Sequence, residues 1–237
     1  MYEELAKYYD LMYSWKDYKQ EADRIRELIS VYKKSDGNEL LDVACGTGKH
    51  LKHLKRDFSC TGIDISKEML NVARQNVKGV RFIQTDMVTL DLDKRFDVVI
   101  SLFSSIGHAE TYENLRKTIN SIANHLKVGG VAIVEPWITK SMFKGVGLPF
   151  MMTYDGEDVK IARLNISKKI EGNSMPLEFH YLIAEKDKDV RYFVDRHEMG
   201  VFERDKTLEF MEEASLEMEF LEKGLTGNRG LFVGVKK

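Results

Sequence analysis

Three short stretches combine glycines and carboxylates at intervals that suit a small charged ligand. The first is Asp42-Val43-Ala44-Cys45-Gly46-Thr47-Gly48, entered from an apolar run. Glycines at such a bend let backbone approach a ligand closely, and a helix that starts beyond it offers unpaired N–H groups. The second, Gly62-Ile63-Asp64-Ile65-Ser66, follows about twenty residues on, where a doubly wound fold places a carboxylate against a ribose diol. A competing role for Asp64 is to cap the helix opening near Ser66. The third is Gln84-Thr85-Asp86-Met87, where Asp86 can accept from an adenine amino group while the next backbone N–H reaches a ring nitrogen. The bend spells neither GxGxxG nor a Walker A loop, because Ala44 breaks the first pattern and no GK[ST] follows.

These residues need strands that end together at one edge, and the hydrophobic pattern supplies them. Residues 39–44, 58–63, 80–84, 96–102 and 131–135 read as strands, the last following a Gly129-Gly130 turn. Between them, residues 49–56, 66–76 and 111–126 read as helices, the last with Leu115, Ile119, Ile122 and Leu126 on one face. Such alternation implies right-handed crossovers and a parallel sheet covered on both faces. From about residue 152 to 202 the period becomes two: Leu177, Phe179, Tyr181 and Ile183 point one way, Glu178, His180 and Leu182 the other. With turns at 171–173 and 186–189, this stretch reads as a three-stranded antiparallel meander. Residues 207–214 read as a helix, and 216–221 with 231–235 as a hairpin pair closing the main sheet. The front end, 2–32, reads as one or two helices, with Asp17 and Gln20 resembling a capping box.

Composition narrows the function. With 237 residues and 43% hydrophobic content, the chain can bury one good-sized core. Its 36 basic and 38 acidic residues give a net charge of −2, which argues against a nucleic-acid or membrane surface. Cys45 and Cys60 are too few for a disulfide framework, so a reduced, cytoplasmic setting is expected. The N-terminus does not read as a signal peptide, and no apolar run approaches the roughly 20 residues that span a bilayer.

LDVACGTG, GIDIS, QTDM and HLKVGG, in that order and spacing, resemble the class I S-adenosylmethionine-dependent methyltransferases over about residues 39–237. Ala44 departs from the glycine that many members carry. The resemblance implies an α/β, doubly wound, mostly parallel seven-stranded sheet with an inserted antiparallel β platform. It implies that the amino-acid end of S-adenosylmethionine sits against Ala44, Gly46 and Gly48, its ribose on Asp64 and its adenine on Asp86 and Met87. Ile65 belongs to the same cofactor set, Leu102 covers one ring face, and Asp42 orients the loop or helps neutralise the sulfonium. No metal is expected.

KYYDLMYSWKDYKQEA, FSSIGH, VEPW, EFHYLIAEKDKDVRYF and GNRGLFVG are similar, nearly end to end, to the N-methyltransferases that convert the amino group of thymidine-diphosphate-linked amino sugars to a dimethylamine. The segment from Tyr13 to Lys16 is shorter than that family's pattern. This second resemblance implies a homodimer and an acceptor that is a nucleotide-linked amino sugar. It divides the chain into an N-terminal helical lid (1–36), a cofactor-binding core (37–136), an antiparallel insert forming the acceptor platform (137–203) and a C-terminal part completing the sheet (204–237). Tyr13 and Tyr18 would close over the cofactor. His108, reached through a glycine beyond a strand end, is the candidate for acceptor positioning or proton acceptance; a solvent-exposed loop histidine is the alternative. Trp137 is a candidate for stacking on thymine or sugar, against core packing. His180 and Arg229 are candidates for diphosphate or sugar contact, Arg229 for its planar fork of donors. Competing acceptors are glycine- or sarcosine-type amines. A nucleic-acid substrate is disfavoured by the charge and by the absence of an NPPY-like tetrapeptide, and a nucleotide-binding regulator without activity by the acidic pair Asp64 and Asp86.

Overall fold

The computed structural model describes residues 2–139, 142, 149–167, 170–225 and 229–237. The chain opens with helices α1 (Tyr2–Met12) and α2 (Tyr18–Tyr32). Strand β1 (Glu39–Val43), α3 (Lys49–Leu54), β2 (Ser59–Asp64), α4 (Lys67–Asn76), β3 (Arg81–Gln84) and β4 (Phe96–Ser101) follow. A 3-10 turn (Ser105–Ala109) leads to α5 (Tyr112–Asn124) and β5 (Leu126–Val134). Strands β6 (Phe150–Asp155), β7 (Val159–Ser167), β8 (Ser174–Glu185) and β9 (Arg191–Gly200) come next, then α6 (Arg204–Glu213), β10 (Leu216–Leu221) and β11 (Leu231–Lys236).

The main sheet has the order β10-β11-β5-β4-β1-β2-β3, with β1 to β5 parallel and β11 antiparallel to β5. One face buries Ala22, Ile25, Leu28 and Ile29 of α2 with Leu51 and Leu54 of α3. The other buries Leu115, Ile119 and Ile122 of α5 with Phe210 and Met211 of α6. Each fully buried side chain of this kind contributes about 1.5–3 kcal/mol, so the two faces together outweigh helix propensity in holding the elements. Three helix starts carry side-chain caps: Asp17, the one expected, accepts from Gln20 N (2.9 Å), Ser66 from Met69 N (3.2 Å) and Thr111 from Asn114 N (3.1 Å).

Helix ends shift by up to three residues from the sequence reading, as at α6, which starts at Arg204, and two larger differences bear on the architecture. β5 starts before Gly129-Gly130, not after it. Gly129 bends the strand at φ +77°, and its carbonyl accepts from Lys34 N (2.8 Å) and Ser35 N (3.0 Å), docking the chain that leaves α2. A Cβ on Gly129 would stand 3.1 Å from Ser35 N, so close approach selects glycine there. The insert has four strands, in the order β6-β7-β8-β9, rather than three. β6 escapes the pattern because both Phe150 and Met151 are exposed, which hides the alternation at its start.

This second sheet leans over the strand ends of the first. Leu5, Tyr8 and Met12 of α1 pack on Ile161 and Ile183, while Met175, Leu177, Met199 and Val201 pack against Trp137 beyond β5. On its other side α1 is tied to the glycine bend: Asp10 accepts from Thr47 Oγ1 (2.6 Å) and Asn76 Nδ2 (3.0 Å) and pairs with Lys49 (3.2 Å). No helix among the described residues is long and apolar enough to cross a membrane. Of the GNRGLFVG stretch, Gly227 and Asn228 lie outside the described residues.

Candidate active site

The bend after β1 is built by three left-handed residues, Ala44 (φ +61°), Gly46 (φ +55°) and Gly48 (φ +75°). Alanine at the first costs about 1 kcal/mol of backbone strain that glycine would not. A Cβ on Gly46 would meet nothing within 4 Å, so the bend faces open space. A Cβ on Gly62 of β2 would lie 2.8 Å from Cys45 Sγ and Leu51 Cδ1, so only glycine lets the bend lie down on β2. Asp64 clamps it there: Oδ2 accepts from Gly46 N (2.8 Å) and Oδ1 from Ser66 N (2.9 Å). Ser66, not Asp64, is the N-cap of α4.

Two carboxyls therefore sit behind a bare turn without a cation. Asp42 is 2% exposed, and burial, then the charge of Asp64, holds its carboxyl well above the usual range. Burial raises Asp64 as well, against the backbone N–H groups of Ser66, Gly46 and Ile65. Neither makes an ion pair among the described residues, so a cationic ligand would relieve the cost of burying both. Asp86 is half-buried and turns one oxygen to Val88 N (2.9 Å), leaving the other for a donor; Met87 and Leu102 are buried, and Ile65 is 66% exposed beside Asp64. A cationic adenosyl nucleoside fits this set of groups.

From the bend a cavity of about 860 Å³ extends to the inner face of the second sheet. Of the residues singled out in the sequence, Tyr13, Tyr18, Asp42, Ala44, Gly46 and Leu102 line it, and so do His108, Trp137 and Arg229. Gly48, Asp64, Ile65, Asp86 and Met87 are not on its wall; they stand at the adjoining ends of β2 and β3 and in the bend itself. His180 is placed elsewhere altogether. It lies on the outer face of β8, its Nδ1 2.5 Å from the Tyr192 hydroxyl and its Nε2 3.5 Å from Glu178. Its neighbours Phe179 and Tyr181 line the cavity, and strand alternation sends the residue between them to the opposite side. His180 therefore faces away from this cavity.

The wall beyond β4 is strained. Phe103 (φ +53°) and Ser104 (φ +64°) are held left-handed by Glu135, whose Oε2 accepts from Phe103 N (2.6 Å), and by Arg229, which donates to Ser104 Oγ (2.8 Å). Arg229 also stacks over Trp137, 5.3 Å from the ring centroid. Tyr13 stands edge-on to Phe103 (5.0 Å), and its hydroxyl accepts from Arg163 (2.9 Å). Tyr18 meets His50 edge-on (5.0 Å), above a buried network in which Glu21 takes Lys16 on one oxygen and His50 (2.6 Å) on the other. Burial pushes the His108 imidazole down to about 4, helped by the charge of His197 and opposed by Asp195, so His108 is neutral at physiological pH.

Several wall residues escaped sequence reasoning: Phe103, Arg163, Asn165, Asp195 and His197. Arg163 is 4% exposed, and Arg163 Nε, Asn165 Oδ1 and Trp137 Nε1 are buried with no hydrogen-bond partner among the described residues. Two donors and one acceptor so placed await a polar ligand. The signal for Asp195 and His197 was their spacing of two on a strand, which puts both on one face.

A doubly wound sheet of this order, with a bare bend and carboxylates at successive strand ends, defines a class I methyltransferase. The methyltransferase-domain family matches residues 40–130. The chain is 40% identical, over 99% of each sequence, to a dTDP-3-amino-3,4,6-trideoxy-alpha-D-glucopyranose N,N-dimethyltransferase of Streptomyces venezuelae. The crystal structure of Streptomyces venezuelae DesVI superposes with a TM-score of 0.90 at 37% identity, covering 98% of both chains. SAM-bound CalS10, an amino pentose methyltransferase from Micromonospora echinaspora, superposes at 0.82 with 28% identity, over 94% of this chain and 92% of that one. The chain belongs to the family of S-adenosylmethionine-dependent dTDP-amino-sugar N,N-dimethyltransferases.

Proposed function

We propose that the protein methylates the amine of a nucleotide-linked amino sugar, using S-adenosylmethionine. The observation that carries this reading is one continuous cavity that joins the bare bend and the Asp42 carboxyl, with Asp64 directly behind the bend, to a wall of aromatic and cationic side chains. Full-length similarity to a dTDP-amino-sugar dimethyltransferase supports the same acceptor class. S-adenosylmethionine, when bound, supplies an electrophilic methyl group on a sulfonium. Ala44, Gly46 and Gly48 receive its amino-acid end, Asp64 its ribose, Asp86 and Met87 its adenine, and Ile65 and Leu102 cover the ring. Asp42 supplies negative charge behind the bend. Tyr13 and Tyr18 close the site from the N-terminal segment and exclude water, which strengthens every polar contact inside. Trp137 offers a flat face and an unpaired N–H to the sugar nucleotide, and Arg229 its remaining guanidinium donors to the diphosphate. His108, a neutral imidazole, hydrogen-bonds the amine and holds it in line, where alignment alone lowers the barrier substantially.

The protein works without metal as a cytoplasmic homodimer. The outer face of the second sheet supports the dimer, because Met151, Leu164, Ile166, Leu182 and Tyr192 stand exposed on it and form an apolar patch. Incubation with thymidine-diphosphate amino sugars and S-adenosylmethionine tests the acceptor: mass spectrometry is expected to show the addition of one or two CH2 units. No shift with any such sugar, alongside methylation of glycine, would transfer the reading to glycine-type acceptors.

A further inference from the structure

Methyl transfer needs an amine lone pair, yet a sugar amine at neutral pH is largely an ammonium and must first give up a proton. Several titratable groups line the cavity; His50, below the glycine bend, is engaged with Glu21 (2.6 Å) at the end away from the second sheet. Asp42 lies at the bend, where the cofactor's cationic end is expected. Burial pushes the Tyr181 hydroxyl up to about 12, and Arg163 is raised by Tyr13 and Tyr181 against its burial, so both hold their protons at neutral pH. The His108 ring opens onto the cavity, but its surroundings hold the imidazole down to about 4, which disfavours it as the resting place for that proton.

On β9, Asp195 and His197 lie two residues apart, so both side chains turn to the inner face, where both line the cavity. Asp195 Oδ2 stands 2.8 Å from His197 Nε2, and the Asp195 side chain is buried. The His197 ring is 5.5 Å from that of His108 and 5.3 Å from that of Phe179, centroid to centroid. We propose that His197, oriented by Asp195, takes the proton from the acceptor amine, while His108 positions that amine. The inference rests on the amine-methylating reading above.

With Nε2–H donated to Asp195, the basic lone pair is on Nδ1. In the step, one N–H bond of the ammonium breaks and its electron pair stays on nitrogen as the attacking lone pair. An Nδ1–H bond forms, and the imidazolium is compensated by the Asp195 carboxylate. The proton then passes to water, restoring neutral His197. Each methylation of an amine leaves one proton to dispose of, so a second methylation uses the same pair again. Asp195 on its own strand and His108 on the 3-10 turn are among the charged and titratable groups that face His197. Arg163 of β7 lies beyond the Phe179 ring, 5.0 Å from its centroid.

The test uses the full-length enzyme with S-adenosylhomocysteine and a thymidine-diphosphate amino sugar that the wild type methylates. Histidine-selective NMR is expected to show that binding of the amino sugar to form this ternary complex moves a proton onto His197 and none onto His108. His197→Gln should lower kcat/KM at least about a hundredfold and remove the acidic limb of the pH profile, with affinity for S-adenosylhomocysteine retained. Asp195→Asn, which keeps the ring, should shift that limb, and added imidazole should partly rescue His197→Gly. A neutral His197 in the ternary complex, or a His197→Gln enzyme within threefold of wild type, overturns the proposal while leaving the amino-sugar reading intact. A wild type that methylates no amino sugar overturns that reading and this inference with it.

Discussion

Asp64 is placed to do two things, and replacing it separates them. Its carboxylate accepts from Gly46 N at 2.8 Å and from Ser66 N at 2.9 Å, clamping the bend to the start of α4. A hydrogen bond to a charged group is worth about 1.5–3 kcal/mol net, but Asp64 is half-buried and its carboxyl is already raised, so part of that gain offsets desolvation. Asp64→Ala is therefore expected to lower unfolding stability by about 2 kcal/mol, and Asp64→Asn, which keeps one acceptor oxygen, by about half as much. The same carboxylate has lone pairs left for a ribose diol, and losing even one charge-assisted bond of about 1.5 kcal/mol weakens binding roughly tenfold. Titration calorimetry with S-adenosylhomocysteine should thus show Asp64→Ala binding at least tenfold more weakly than wild type. Urea unfolding of the free protein gives the stability term separately. Unchanged nucleoside affinity in a variant that has lost stability would refute the ribose contact and leave Asp64 as a clamp alone.

Binding of the cationic cofactor should release protons. Asp42 is raised well above the usual carboxylate range by burial and by Asp64, so it retains a proton in the free protein above that range, and a cation favours the ionised form. Affinity for S-adenosylmethionine should accordingly rise with pH from the ordinary carboxylate range upward and level off above the raised value; calorimetry in buffers of different ionisation heat reads the released proton, and zero release would remove Asp42 from the cofactor's surroundings. Leu182→Glu, placing a charge on the exposed apolar face of the second sheet, should give a monomer in sedimentation velocity with the fold intact, and a dimer that persists would move the interface elsewhere.

Much of the core is legible in the sequence, because its signals are local. Strands buried on both faces read as continuous apolar runs, as in Phe96–Ser101, and α5 shows one apolar stripe, so period and length alone order the elements. The bend and the acids Asp64 and Asp86 stand out for a similar reason: a left-handed turn selects glycine, and strand ends beside a ribose or adenine select carboxylates. Period two on β8 says that Phe179 and His180 face opposite ways, and nothing local says which faces the cavity, since Leu182 on the outer side is as apolar as its inward neighbours. That was decided by α1 packing on Ile161 and Ile183, which turns Phe179 and Tyr181 inward and leaves His180 against Tyr192. The approach of His197 to His108, and of Arg163 to Tyr13, belongs to tertiary structure as well. Residues so far apart in the chain meet only through the summed packing of two sheets and a helix, a sum of many weak contacts that no single window of sequence contains.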